Sequence, residues 1–149
     1  MIAAATAARL RGQHEVLYLL LPGDRPLRER PSPDTWSLLE NAAHLAAYQK
    51  MFARRVERIL AEDEPAFAAY VGDNDPYFLA AREESAADLL VDLSADRLYL
   101  YDWITSLGDD PLSRTAVHPK YGRRTLAMWT EFFLLHEAHH LYTMWKLNQ

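Results

Sequence analysis

The sequence predicts an all-α protein, a four-helix bundle with long connections, forming a single domain over residues 1–149. Three observations predict it. Four segments repeat their apolar residues at spacings of three and four, and proline or glycine punctuates each joint between them. No stretch shows the strict alternation of a half-buried strand. With 149 residues, half of them hydrophobic, the chain can bury one good core and is too short for two ordinary domains.

The first helix runs from about Ile2 to Leu21, with Leu10, Leu17, Leu20 and Leu21 to one side, and Pro22-Gly23-Asp24 ends it. Residues 22–34 hold four prolines and suit an ordered connector. Ser37 with Glu40 three residues on makes a capping box, and Trp36 before it can staple onto the first turns. Helix two then reaches about Ala61, with Leu38, Leu45, Phe52, Val56 and Ile59 as its inward stripe.

Residues 63–84, with Pro65, Gly72 and Pro76, form a long crossing connection with a short helical piece at Tyr77–Arg82. Ser85 with Asp88 opens the third helix, where Leu90, Leu93, Leu100, Ile104 and Leu107 recur until Gly108. Residues 109–124, with Pro111, Pro119 and Gly122, are expected to be loop. Thr125 caps a last helix whose Leu126, Trp129, Phe133, His136, His140, Met144 and Leu147 share one stripe.

Composition removes several classes of function. A net charge of -5 argues against a phosphate backbone as partner, because nonspecific nucleic-acid affinity rests on clustered lysine and arginine. Arg54-Arg55-x-x-Arg58 is a local basic group, but Glu57, Glu62, Asp63 and Glu64 surround it, so it reads as a solvated helix face. No apolar run approaches the roughly 20 residues of a membrane span. Arg9 and Arg11 interrupt the Ala-rich start where a signal peptide needs its apolar stretch, so the expected location is the cytoplasm. The chain has no cysteine, so any bound metal must be held by His, Asp or Glu.

His136-Glu137-Ala138-His139-His140 supplies such ligands. Residues four apart on a helix stand one above the other, so His136 and His140 can reach one cation together. Packed histidines are an alternative, but two stacked in an apolar stripe bury four ring nitrogens that all need partners. His44 lies near the inward stripe of helix two, in line with Tyr48 and Met51, and metal sites in bundles are built across facing helices. The other reading for His44 is a core histidine bonded to Asn41 or Tyr48. Three imidazoles leave a position open for water or substrate, the arrangement of a catalytic zinc site.

His14 falls on the apolar side of helix one, as a packed residue or an approach to the same cavity. His139 is turned about 100° from His140 and is a poor ligand for the same ion. His118 suits a turn or the cavity entrance. In a zincin protease the HExxH glutamate is the general base and a third ligand lies downstream; here nine residues follow His140 and none is His, Asp or Glu, which argues against that reading.

Trp36-Ser37-x-x-Glu40-x-x-x-His44-Leu45, His118-Pro119-x-Tyr121-Gly122-x-x-Thr125-Leu126 and His136-Glu137-Ala138-His139-His140-Leu141 come in an order that resembles the DinB-like superfamily. That superfamily includes YfiT-type proteins and is described together with bacillithiol and mycothiol S-transferases and maleylpyruvate isomerases. The resemblance implies a four-helix bundle, frequently a homodimer, with a divalent transition metal, usually zinc or nickel, held by His44, His136 and His140. It does not fix a reaction.

The expected function is therefore a metal-dependent enzyme acting on a small molecule, as a transferase or isomerase that activates a low-molecular-weight thiol. A rim of Trp36, Tyr48, Tyr121 and Trp129 is expected around the open position. Glu40, one turn before His44, would orient that ring, and Glu137 is the other candidate for proton transfer. The alternative is a non-catalytic module, stabilised by metal, that holds a small ligand or dimerises.

Overall fold

The computed structural model describes residues 1–149, and four helical rods build the bundle. The first rod is α1 (Ala4–Gly12), a 3-10 turn at Gln13–Val16 and α2 (Leu17–Leu20), where one unbroken helix was expected. The break falls at Gly12, a poor helix former, and at a polar demand from inside. There the Gln13 Nε2 donates to the Leu134 carbonyl at 2.9 Å and to Glu137 Oε1 at 3.0 Å. Apolar spacing is blind to that demand.

The second rod, α3 (Leu38–Ala61), starts on the expected capping box: the Glu40 backbone N–H donates to Ser37 Oγ at 3.0 Å, and that of Ser37 to Glu40 Oε1 at 3.1 Å. All five residues of its expected stripe are buried. Its far end is held by Arg114, whose Nε and Nη2 donate to the carbonyls of Ile59 and Glu62 at 2.7 and 2.6 Å.

The connection after α3 holds a 3-10 turn at Gly72–Asn74 and α4 (Pro76–Ala81), one residue from the expected helical piece. Asp75 caps α4 by accepting from the Tyr77 N–H at 2.9 Å. The remaining rods are α5 (Ala86–Thr105), opened by Ser85, and α7 (Leu126–Leu147), opened by Thr125; a short α6 (Asp109–Ser113) lies between. Both α1 and α3 pack against α5 and α7, which puts α1 and α3 at opposite corners. No helix is long and apolar enough to cross a membrane.

The expected loop after α5 folds instead as α6 and an antiparallel hairpin, β1 (Thr115–His118) and β2 (Gly122–Thr125). Strands of four residues are too short to show alternation. The turn chemistry was the available signal, since Pro119-Lys120-Tyr121 closes on Gly122 at φ 72°, a conformation that favours glycine. The hairpin clamps the long connection: the Phe67 N–H donates to the Val117 carbonyl at 2.8 Å and the Val117 N–H to that of Pro65 at 3.0 Å. Beside them the Glu64 carboxylate accepts from Thr115 Oγ1 at 2.6 Å and from Arg123 Nη2 at 2.7 Å.

The core divides into two apolar clusters along the bundle. One gathers Leu17, Leu20, Leu45, Phe78, Leu89, Leu93 and Met144, and the other Leu10, Phe52, Val56, Leu100, Ile104, Trp129 and Phe133. Each rod changes cluster at or between polar residues: at His14, between His44 and Gln49, at Arg97, and between His136 and His140. A polar layer therefore crosses the middle of the molecule. One side of it centres on Arg97, 1 % exposed, which is ion-paired with Glu137, 2 % exposed. Its other donors reach Gln49 Oε1 at 2.6 Å and the Leu10 carbonyl at 3.2 Å.

Removing one partner of a buried pair strands the other charge, so Arg97→Ala should destabilise the protein by about 3–5 kcal/mol. Urea unfolding checks this; a loss under about 1 kcal/mol would show that the pair is not desolvated.

Candidate metal centre

The other side of the polar layer holds three imidazoles. Helix α3 presents His44 two turns past its cap, and α7 presents His136 and His140 across the interface. The His44 and His136 Nε2 atoms stand 3.1 Å apart, and one ring nitrogen from each of the three histidines lies within 4.8 Å of the others. Two nitrogens on a tetrahedral zinc are about 3.3 Å apart, given Zn–N bonds of about 2.0–2.1 Å. The first edge is already at ligand spacing, and the wider ones stay within 4.8 Å.

The hydrogen bonds favour a cation over simple packing. Asn41 Nδ2 donates to the Ser37 carbonyl at 2.9 Å, which turns its Oδ1 toward His140 Nδ1 at 3.0 Å. The His140 proton is thereby fixed on Nδ1, leaving a lone pair on Nε2. A proton shared between His44 and His136 would pair only their Nε2 atoms and leave His140 Nε2 without a protein partner. One cation serves all three. The buried Nδ1 atoms of His44 and His136 have no protein partner, so neither ring is tied to another task.

Burial sets the protonation state. Loss of water pushes His44 down to about 4, partly offset by Asp73 and Asp75. Burial, then the neighbouring histidines, pushes His136 and His140 down to about 3. All three are neutral near pH 7, the form that ligates metal.

Aromatic rings fix the imidazole planes. Tyr48 stacks on His136 with centroids 3.7 Å apart, and Trp36 packs 4.9 Å from His44. Gly72 from the long connection closes over His44: a Cβ there would sit 2.9 Å from His44 Nδ1, so only glycine permits this approach.

Beside the rings a cavity of about 310 Å³ is lined by His44 and His136 together with Tyr48, Tyr70, Arg55 and His118. Of the expected rim, Tyr48 and Tyr121 line it, whereas Trp36 covers the rings from the loop side and Trp129 is buried against Phe67 and His118. His118 serves its turn too, its Nδ1 accepting from the Lys120 and Tyr121 N–H groups at 3.0 and 3.3 Å.

Both carboxylates expected at the site lie elsewhere. Glu137 turns into the opposite half of the layer, bound to Arg97 and Gln13, because about 100° of helix separates it from His136. Glu40 faces Arg30, whose Nε and Nη2 donate to it at 2.8 and 2.6 Å and hold it below the usual carboxylate range. The residue that orients a ring from behind is Asn41, and the ring is His140. His14 is buried 3.4 Å from Arg97 Nη1, away from the three rings, and His139 is exposed. The basic group on α3 also needs correction: Arg54 is exposed, but Arg55 turns inward to the cavity.

A four-helix bundle with three convergent imidazoles, two of them at the wall of a side cavity, defines a class of helical proteins able to hold a divalent metal between facing helices. Within that class, the chain belongs to the DinB superfamily, whose pattern it matches over residues 8–144. It is similar to the uncharacterized protein YuaE of Bacillus subtilis (strain 168), with 28% identity over 154 residues, covering 95% of this chain and 93% of that one. Its fold is similar to that of YfiT from Bacillus subtilis, described as a probable metal-dependent hydrolase with an unusual four-helix bundle topology. The TM-score is 0.84 at 18% identity, over 99% of this chain and 88% of YfiT. TT2238, a four-helix bundle protein, aligns with a TM-score of 0.65 at 24% identity over 94% of each chain.

Two outcomes follow from this geometry. Gly72→Val should push His44 out of place and weaken zinc binding by about 10–100-fold in chelator competition; unchanged affinity would show that the loop does not set the ring. In metal-free protein the three rings stay neutral while the unfolded chain takes up protons near 6.5. Stability is then full above about pH 6.5 and falls as pH drops toward about 4, because the unfolded state binds more protons there. Urea midpoints across that window should decline, and a flat series would contradict the burial of the rings.

Proposed function

We propose that this chain is a metal-dependent enzyme that transfers or isomerises a small molecule through a low-molecular-weight thiol, with zinc or nickel held by His44, His136 and His140. The observation that carries this reading is the convergence of three neutral imidazoles, two of which line an accessible cavity. A divalent cation there supplies Lewis acidity and lowers the pKa of a coordinated thiol or water.

The placement of the carboxylates favours a thiol. Metal hydrolases of the HExxH type use a glutamate beside the metal to take a proton from water. In this chain Glu137 is committed to Arg97 and Glu40 to Arg30. A thiol ionises near 8.5 on its own and needs no such base. The remaining side chains orient and shield: Tyr48 is a flat wall against His136, and Trp36 excludes water behind His44. His118 can donate a hydrogen bond into the cavity, since its Nδ1 accepts two backbone N–H groups and its proton therefore sits on Nε2.

A second reading is hydrolysis, supported by the likeness to YfiT. The test is a set of rate measurements on zinc- and nickel-loaded protein with small thiols and an electrophile, and with simple esters and amides. Thiol-dependent turnover proportional to metal content, and lost in His136→Ala, is the expected result. His118→Ala should slow it by about 10-fold with metal content unchanged, the loss of one oriented hydrogen bond. Turnover of esters or amides without thiol would select hydrolysis. Retained metal without any turnover would leave a non-catalytic binding module.

A further inference from the structure

Arg55 is the feature of the cavity that this function does not use. It follows His44 by eleven residues on α3, about three helical turns, so both lie on nearly the same face about 16 Å apart along the axis. Helical side chains lean toward the N-terminus, which carries the guanidinium back toward the rings. Arg55 is half-buried, and no carboxylate pairs with it, unlike Arg58 one turn on. Its one hydrogen bond runs from Nη2 to the Ala68 carbonyl at 2.9 Å, and its plane lies over the Phe67 ring at 4.7 Å. Both contacts hold the group in place without neutralising it.

The rest of the wall has the same sign. Lys120, at the hairpin turn, lines the cavity and makes no ion pair, while no aspartate or glutamate lines it. In a chain of net charge -5 this is a local reversal. A desolvated arginine without a counter-ion is costly unless an anion visits it, and its planar fork matches an oxyanion in two parallel hydrogen bonds.

We infer that the cavity binds a small molecule bearing a carboxylate or phosphate, with Arg55 gripping that anionic group, Lys120 attracting it at the mouth, and the reacting end directed toward His44 and His136. This assignment rests on the reading of the cavity as a substrate site. It names a recognition group for that substrate, distinct from the groups that hold metal.

Calorimetric titration tests it without any turnover, using glutarate, inorganic phosphate and the uncharged glutaramide on metal-free and zinc-loaded protein. The parent is expected to bind at least one of the two anions and not glutaramide; glutarate alone assigns a carboxylate, and phosphate alone a phosphate. Arg55→Met should weaken anion binding by about 10–100-fold, the range for losing a charge-assisted hydrogen bond. Arg55→Lys should retain part of it, and Arg54→Met, on the exposed side of the same helix, should match the parent. A parent that binds neither anion, equal binding of glutaramide, or full anion binding by Arg55→Met would overturn the inference. Zinc uptake measured on the same samples separates the two claims. Uptake without anion binding removes Arg55 alone, and Arg55-dependent anion binding without zinc uptake removes the metal reading alone.

Discussion

The buried ion pair between Arg97 and Glu137 is the constraint from which the site follows. Glu137 lies between His136 and His140 in sequence and on a different face of the same two turns of α7. Sliding or rotating α7 by one residue would strip the carboxylate from Arg97 and leave both charges buried and bare. The pair therefore fixes the height and rotation of α7, and with them the two imidazoles that face α3. Gln13 and Gln49 bring α1 and α3 into the same network, so all four rods are tied at one level.

That level has an energetic cost. Leucine at these positions would join the two apolar clusters into one continuous core, and replacing buried ion pairs by well-packed apolar residues often stabilises a protein. Polar groups placed against that gradient are what a functional site is expected to show. The covering elements agree. The hairpin clamps the long connection through Glu64 and Val117, and the clamped connection brings Gly72 onto His44 and Tyr70 to the cavity. The connection is thus a fixed wall with a narrow tolerance at one glycine.

Much of this was legible in the residues. The capping box at Ser37 and Glu40, the caps at Ser85 and Thr125 and the stripe of α3 are local patterns, and the structure follows them. The convergence of His44, His136 and His140 was readable because histidines four apart on one helix share a face, and a lone histidine on a facing stripe completes the group. What escaped depends on contacts between distant segments. Glu137 looked like an acid beside a metal because the HExxH spacing shows adjacency and not the arginine waiting on α5. Arg55 looked solvated because its sequence neighbours are acidic; its eleven-residue phase with His44 was the overlooked signal. The hairpin was lost because four-residue strands carry too little alternation, although Gly122 marked its turn.

The central claim is that three rings on two helices hold one metal ion. The most direct measurement is elemental analysis of the untagged protein, purified without chelator and then offered zinc and nickel, alongside folded His44→Ala and His136→Ala variants. The account predicts about one equivalent of divalent metal in the parent and a large loss in both variants, since each removes one of three ligands on the same ion. A parent that takes up neither metal, or a His44→Ala variant that keeps a full equivalent, would contradict it.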